Sequence, residues 1–201
     1  YYGAGYGDAW ATYVVQPEAN GLCDAIFRAA PLIALEEDVL VGLPDTVWFP
    51  ERALAELPPS ELSFLLFPVE HPELFDAVVL EENGTVREIQ VKEKNAASYW
   101  IWGAFKMSGQ IFEELRHLWL LRKGEDEYFG TLVNAYLAGG GKAIGVKAGH
   151  SYVDVGTLHG YRSAIGLLTQ AAELDDPAGA RVGLGWPSGR SAQGLHDANR
   201  E

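Results

Sequence analysis

Apolar residues along this 201-residue chain fall into short runs and helical stripes, with no internal repeat. Residues 39–43 form a continuous apolar run, too short for a helix and of the kind expected in a central strand covered on both faces. Residues 11–15, 62–69 and 99–106 read as further strands, with 142–148 and 151–153 as late ones. Between 77–80 and 85–91 lies Glu81-Glu82-Asn83-Gly84, which predicts a β-hairpin because Asn-Gly supplies the positive φ angles of a tight turn. Helices are marked by stripes. From Asn20, a residue able to cap free N–H groups, Leu22, Ala25, Ile26, Ala29 and Ile33 share one face. A short helix is expected over 51–57. Ile111, Leu115 and Leu118 line one over 108–121, and Phe129, Leu132, Val133 and Tyr136 line another over 127–138, stopped by three glycines from Gly139. Thr157 caps a last helix over 158–168. Residues 173–201 are rich in Gly, Ser, Asp and Arg without a period and predict a disordered tail, which leaves 1–172 as the ordered domain. Buried-type strands interleaved with helices predict an α/β fold with hairpin character in its middle.

Composition narrows the functions open to such a fold. At 48% hydrophobic and 21% charged, the chain is of globular type and long enough for one sizeable core. A net charge of −13 excludes nonspecific nucleic-acid binding, which needs a basic footprint, so an anionic substrate has to be met by a local cation or metal. No apolar run reaches the roughly 18 residues of a membrane span, so no membrane partner is expected. The single Cys23 excludes an internal disulfide and fits a reducing cytoplasm. The chain opens without a basic region and apolar stretch, so no secretory leader is expected, and it lacks an initial Met, as a fragment would.

The candidate chemistry gathers at two aspartates. Asp45 follows the 39–43 run, and Asp154 stands in Tyr152-Val153-Asp154-Val155-Gly156-Thr157. Open α/β sheets bind ligands beyond their strand ends, and two carboxylates there suit one Mg²⁺, which takes one or two carboxylates plus substrate phosphates. Each alone is equally readable as a turn or helix-cap residue. Gln16 carries an amide able to read a base edge, and Gly21 lets backbone approach one closely. Trp100, Trp102 and Gly103 lie on an aromatic strand that suits a sugar wall or a core face equally well. The five histidines, His71, His117, His150, His159 and His196, lack metal-ligand spacing, and Cys23 reads as a small core residue. No G-x-S-x-G elbow supports hydrolase chemistry.

Gln16-Pro17-Glu18-Ala19-Asn20-Gly21-Leu22-Cys23-Asp24-Ala25, Leu43-Pro44-Asp45 and Tyr152-Val153-Asp154-Val155-Gly156-Thr157, in that order, resemble the motifs of the sugar-1-phosphate nucleotidyltransferases, whose pattern runs Q-P-x-x-x-G-L-A-D-A, a strand ending in G-D or P-D, E-K-P, then W-x-D-V-G-T. The resemblance spans about residues 6–168. It implies a Rossmann-like mixed sheet of the nucleotidyltransferase type with a hairpin-bearing sugar-binding half. The implied activity is transfer of a nucleotidyl group from a nucleoside triphosphate, dTTP or UTP, to a sugar-1-phosphate with release of pyrophosphate. Thymidylyl transfer to glucose-1-phosphate is the leading case and uridylyl transfer the next. By the same resemblance Asp45 and Asp154 hold Mg²⁺, Gln16 and Gly21 bind the nucleotide, and Asp76, Lys92, Trp102 and Gly103 bind the sugar. Lys92 also serves as the catalytic cation on the attacking phosphate. An ungapped count selects Lys92, whereas matching Glu93-Lys94 to E-K-P would select Lys94. Oligomeric state stays open, a homo-oligomer included.

The chain departs from the family in several places. The G-x-G-T-R-x-x-P-x-T-x-x-x-P-K signature is absent, so a truncated member without the first strands and Gly-rich loop is expected, inactive as it stands. Val91 replaces a sugar-binding glutamate, Asp76 a glycine, and Phe105 stands near a tyrosine. These departures also admit a catalytically silent relative that binds a nucleotide sugar and regulates a partner.

Overall fold

The computed structural model describes residues 5–58 and 61–175. The chain divides into two units, Tyr1–Ala164 and Ile165–Glu201. The first opens with a small ribbon, β1 (Gly5–Tyr6) against β2 (Ala9–Trp10), and continues through α1 (Gly21–Phe27), β3 (Asp38–Gly42), β4 (Thr46–Phe49), β5 (Leu62–Pro68), β6 (Asp76–Leu80), β7 (Val86–Val91) and β8 (Trp100–Ser108). Then come α2 (Gly109–Leu121), α3 (Phe129–Ala138), β9 (Ala143–Val146), β10 (Ser151–Asp154) and α4 (Leu158–Asp175), the last running on into the second unit.

The architecture is mixed α/β. Six strands form one sheet in which β7, β6, β8, β5 and β9 follow one another and β3 also pairs with β8. β5 and β9 are parallel, and the other pairings are antiparallel. β5 is an interior strand: Leu62, Phe64, Leu65, Leu66 and Phe67 are fully buried, because β8 and β9 pair with its two edges and both its faces are covered. On one face, Phe64, Leu66, Trp102, Phe105 and Met107 pack against Phe27, Phe112, Leu115, Phe129 and Leu132 of α1, α2 and α3. Phe105 and Phe129 stack there with centroids 4.3 Å apart. On the other face, Leu65, Phe67, Ile101 and Ala104 pack against Ala53 and Leu57, joined by Trp48, Phe75 and Tyr152. Trp48 and Tyr152 belong to a separate two-stranded ribbon, β4 against β10.

Several predicted elements form as expected. Ser108 caps α2, its Oγ accepting the Ile111 N–H at 3.2 Å, and Gly140 at φ 94° follows the end of α3. Others differ. Residues 39–43 supply β3, which is not central: among the described residues it pairs with β8 alone, and it leaves Leu40 half exposed and alternates exposed and partly covered positions. A continuous apolar run has therefore stood for a half-covered edge. Residues 11–15 form no strand, having no partner among the described residues, and Tyr13 and Val15 are exposed. The helix from Asn20 stops at Phe27, makes no side-chain cap, and turns Ala25 outward while burying Cys23 and Phe27. Pro31 sits in the 3₁₀ turn Ala30–Leu32 that replaces its second half, since proline cannot continue the hydrogen-bond ladder. Residues 51–57 hold only the 3₁₀ turn Ala53–Glu56. In the hairpin, Gly84 alone takes positive φ, at 85°, and β6 carries a register shift at Val79/Leu80 in place of a tight two-residue turn. α4 passes the expected stop at Leu168, so 173–175 are helical, and the rest of the predicted tail, with His196, lies outside the described residues.

Candidate active site at the β4–β10 ribbon

β4 and β10 are short, and their register does the positioning. Asp154 pairs with Thr46, and the next N–H, of Val155, donates to the Asp45 carbonyl at 2.8 Å. Asp45 itself is set by a turn in which the Thr46 hydroxyl donates to the Leu43 carbonyl at 2.9 Å. The two carboxylates converge on Gly156: a Cβ built there would lie 3.0 Å from Asp154 Oδ1 and 3.5 Å from Asp45 Oδ2. Both aspartates are exposed. Asp154 Oδ1 accepts the Gly156 N–H at 2.7 Å, and it is Thr157, not Asp154, that caps α4 by accepting the Gly160 N–H at 3.0 Å. The capping explanation of Asp154 is thereby removed, although one of its oxygens closes an Asx turn.

Two hard oxygen donors side by side, the Asp45 carboxylate without a hydrogen bond among the described residues, are a fit for a single Mg²⁺ that draws its other ligands from phosphates and water. Among the described residues no group of three or more His, Cys, Asp and Glu could hold a metal by themselves.

Tyr152 lies at the centre of this region, quoted in the motif above but given no role there. Its ring packs 5.3 Å from Phe67 and edge-on to Phe75, with centroids 5.9 Å apart. Burial first, then Asp154, Asp45 and Asp76, push its hydroxyl pKa upward, so the phenol keeps its proton among three carboxylates. Gly103 makes room for it. A Cβ at that position would stand 2.6 Å from the Tyr152 ring and 2.7 Å from that of Phe67. Gly103 is also the extra residue where the β5–β8 register shifts between Leu65 and Leu66. Trp102 is 8% exposed and lies within the core beside Phe64, Phe105 and Phe129, with its indole N–H directed at Asp76 but closing no hydrogen bond of good geometry.

On the sugar side of the expected site, Asp76 pairs directly with Val91, and both side chains meet Gly130 in the first turn of α3. Val91 is thus committed to packing. Burial raises the Asp76 pKa above the ordinary carboxylate value, against smaller lowering effects of Trp102 and Lys92. For a raised carboxylate the folded state binds its proton more tightly than the unfolded one. The cost of ionisation is therefore absent below the unfolded pKa and fully present above the folded one. Asp76→Asn is expected to raise the thermal midpoint near neutral pH by about 2–4 °C per kcal/mol recovered and to leave it unchanged at about pH 3, as calorimetric scans would show.

Lys92 follows β7 in the left-handed region, with φ 47°, its N–H donating to the Phe75 carbonyl at 3.0 Å and its Nζ 4.9 Å from the centre of the Tyr128 ring. A non-glycine residue held there stores strain of roughly 1–2 kcal/mol, a feature that concentrates at functional positions. Lys92 and Lys94 are both exposed, and the contacts to Phe75 and Tyr128 belong to Lys92.

Gln16 and Gly21 lie near each other and have structural tasks. Gln16 Nε2 donates to the Gly21 carbonyl at 3.1 Å and to Asp24 at 2.8 Å, while Asp24 is also paired with Arg28 at 2.9 Å. The Arg28 hydrogen bond, followed by that of Gln16, holds the Asp24 pKa low. Gly21 has φ 89°, and a Cβ on it would meet Glu127 at 2.7 Å. Cys23 is fully buried, and burial pushes its pKa to about 12, so it is inert. The cavities of 610 Å³ between α2 and α3 and of 510 Å³ beside Trp119 contain none of the residues of the β4–β10 site.

No protein-family model and no curated protein matches the sequence. A solved structure described as a "Putative Glucose-1-Phosphate Thymidylyltransferase from Bacillus anthracis in Complex with a Sucrose" superposes with a TM-score of 0.66 at 22% identity, over 79% of this chain and 65% of that one. The chain has a nucleotidyltransferase-like fold. It spans about two thirds of its structural neighbour's length, and at this identity the likeness is one of fold. No helix among the described residues is long and apolar enough to cross a membrane.

Proposed function

We propose that the full-length protein transfers a nucleotidyl group from dTTP or UTP to a sugar-1-phosphate, with glucose-1-phosphate as the reference acceptor. The observation that carries this reading is the convergence of Asp45 and Asp154 on Gly156, two residues 109 positions apart, being 154 less 45, that the ribbon register places side by side. In the reaction an acceptor phosphate oxygen bonds to the α-phosphorus as the bond from that phosphorus to the β-phosphate oxygen breaks, and pyrophosphate leaves. Asp45 and Asp154 would hold the Mg²⁺, which when bound supplies neutralisation of phosphate charge. Lys92, held at the end of β7 by its backbone bond to Phe75, places a cation for the acceptor phosphate. Tyr152, kept protonated by burial and the neighbouring carboxylates, offers a donor and a wall rather than another negative charge.

A second reading, a silent nucleotide-sugar-binding regulator, draws on Gln16 and Val91. Both amide-donor contacts of Gln16 end within the protein, and Val91 faces α3. The two readings separate on turnover. In a coupled pyrophosphate-release assay, Lys92→Ala is expected to lower turnover by about 10²–10³-fold, whereas Lys94→Ala, at a position beyond the backbone anchor of Lys92 to Phe75, changes it little. The reverse order would move the catalytic cation to Lys94, and no release by the wild-type protein would favour the regulator.

A further inference from the structure

Lys92 is exposed, so no packed wall decides where its ammonium points. Its backbone decides it. The residue sits at φ 47° just beyond β7, a conformation that persists only where the surroundings over-determine it. Two restraints act on it directly: the Lys92 N–H donates to the Phe75 carbonyl at 3.0 Å, and its Nζ lies 4.9 Å from the centre of the Tyr128 ring. Another reaches it through the strand. β7 stands at one end of the sheet order, joined to β6. Within it Ile89, opposite Val78 of β6, has both its backbone groups taken by one side chain of α3. Asn134 Oδ1 accepts the Ile89 N–H at 2.7 Å, and Asn134 Nδ2 donates to the Ile89 carbonyl at 2.7 Å. A side-chain amide carries a donor and an acceptor on one carbon, so Asn134 pairs with Ile89 as a neighbouring strand would. The same side of α3 closes on the strand one turn earlier, where a Cβ on Gly130 would stand 2.7 Å from Ile89 Cγ2 and 2.9 Å from Val91 Cγ2. Tyr128 immediately precedes this helix, and the stack of Phe129 on Phe105 fixes it to the core.

We propose that Asn134 is a positioning residue for Lys92: by pairing with Ile89 it fastens the end of β7 to α3, keeps Lys92 in its left-handed conformation above Tyr128, and so aims the ammonium at the acceptor phosphate. What the cation meets rests on the nucleotidyl-transfer reading; how it is held rests on the contacts just described. In Asn134→Ala, water can satisfy the Ile89 backbone groups because Asn134 is only half-buried, and alanine favours the helix. The fold is therefore expected to survive. What goes is the tie between strand and helix. Lys92 is then free to return to negative φ, which carries its side chain off the Tyr128 ring.

The test makes two measurements on the full-length protein. In the first, NMR follows hydrogen exchange at the Ile89 amide and the side-chain methylene protons of Lys92, which an aromatic ring shifts upfield when they are held over its face. Asn134→Ala is expected to return the Lys92 shifts to those of a free lysine and to speed Ile89 exchange by about tenfold or more. In the second, initial rates of pyrophosphate release with Mg²⁺, glucose-1-phosphate and dTTP or UTP give kcat and KM. Asn134→Ala is expected to lower kcat by about 10–10²-fold, and to cost nothing further when Lys92 is already alanine. A merely structural role would cost the same factor again in that background. Lys92 shifts that show no ring effect in the wild type, or that stay unchanged in Asn134→Ala, overturn the proposal, as does an independent, multiplying loss of kcat in the double variant. Loss of the ring shift in a protein that turns over no acceptor supports Asn134 as the group that holds Lys92 and counts against nucleotidyl transfer alone. Should Asn134→Ala fail to fold, Asn134→Asp is read in the same way, since it keeps an acceptor for the Ile89 N–H and sets a charge against the Ile89 carbonyl.

Discussion

Asp45→Asn and Asp154→Asn are each expected to lower Mg²⁺-dependent pyrophosphate release by the full-length protein by a factor on the order of 10³, with the double variant little worse than either single one. The amide keeps the size of the carboxylate, and at Asp154 its carbonyl oxygen can still accept the Gly156 N–H, so the Asx turn and the ribbon should survive. What is lost is charge. Because both side chains flank the same point, removing one charge already dismantles the shared site, which is why the two losses should not add. The assay is initial-rate pyrophosphate release across a Mg²⁺ titration, with thermal scans to confirm the fold. Near-wild-type rates in either single variant would remove the metal assignment, and independent, multiplying losses would mean that the two residues act separately.

The second large effect is expected at Gly160, a residue without any ligand role. It is buried in the first turn of α4, donates its N–H to the Thr157 hydroxyl, and has no space for a side chain: a Cβ would overlap the Asp154 carbonyl oxygen. Gly160→Ala must therefore push α4 and the end of β10 apart. Overpacking of this kind costs about 1–3 kcal/mol, and a displacement of about 1 Å at a positioning group can cost about 10² in rate. Loss of both thermal stability and activity is expected. The matching control is Gly166→Ala, also in α4 but with open space around its Cβ position, where removing a helical glycine should stabilise by up to about 1 kcal/mol. A Gly160→Ala protein with unchanged melting and turnover would show that α4 can move away from Asp154 freely.

The features legible in the sequence were those set by local pattern. The stripe of α2 with its Ser108 cap, the stripe of α3 with its glycine stop, the β6–β7 hairpin and the apolar β8 all follow from periodicity and turn chemistry acting over a few residues. What periodicity cannot report is how many partners an element finds. Residues 39–43 and 62–67 look alike as apolar runs, yet only the second has strands on both edges, so the first became a half-exposed edge. β4 was missed because it is four residues long and its partner, β10, lies about a hundred residues further on, although Thr46-Val47-Trp48-Phe49 is a β-branched and aromatic run that could have signalled it.

The candidate site divides in the same way. Asp45 and Asp154 were legible because each stands at a strand end within a recognisable word, and the ribbon does bring them together. The structural tasks of the other residues depend on neighbours distant in sequence. Gly103 clears space for Tyr152 and Phe67, Trp102 enters the aromatic core, and Gln16 binds Asp24. None of these contacts leaves a trace in spacing. Tyr152 and Gly160 were overlooked for the same reason: their importance is a matter of which atoms they touch, and a tyrosine in a strand or a glycine in a helix has many ordinary explanations.

In the proposed reaction this fold, with its paired aspartates, joins a nucleotide to a sugar phosphate. Phosphorus NMR of the full-length protein with Mg²⁺, a sugar-1-phosphate and dTTP or UTP carrying heavy oxygen at the non-bridging positions of the α-phosphate tests it directly. The predicted result is transfer of the label into a diphosphate diester carrying the sugar, with unlabelled pyrophosphate released in equal amount. Label that remains in the triphosphate, or that emerges as a nucleoside monophosphate without sugar, would contradict it.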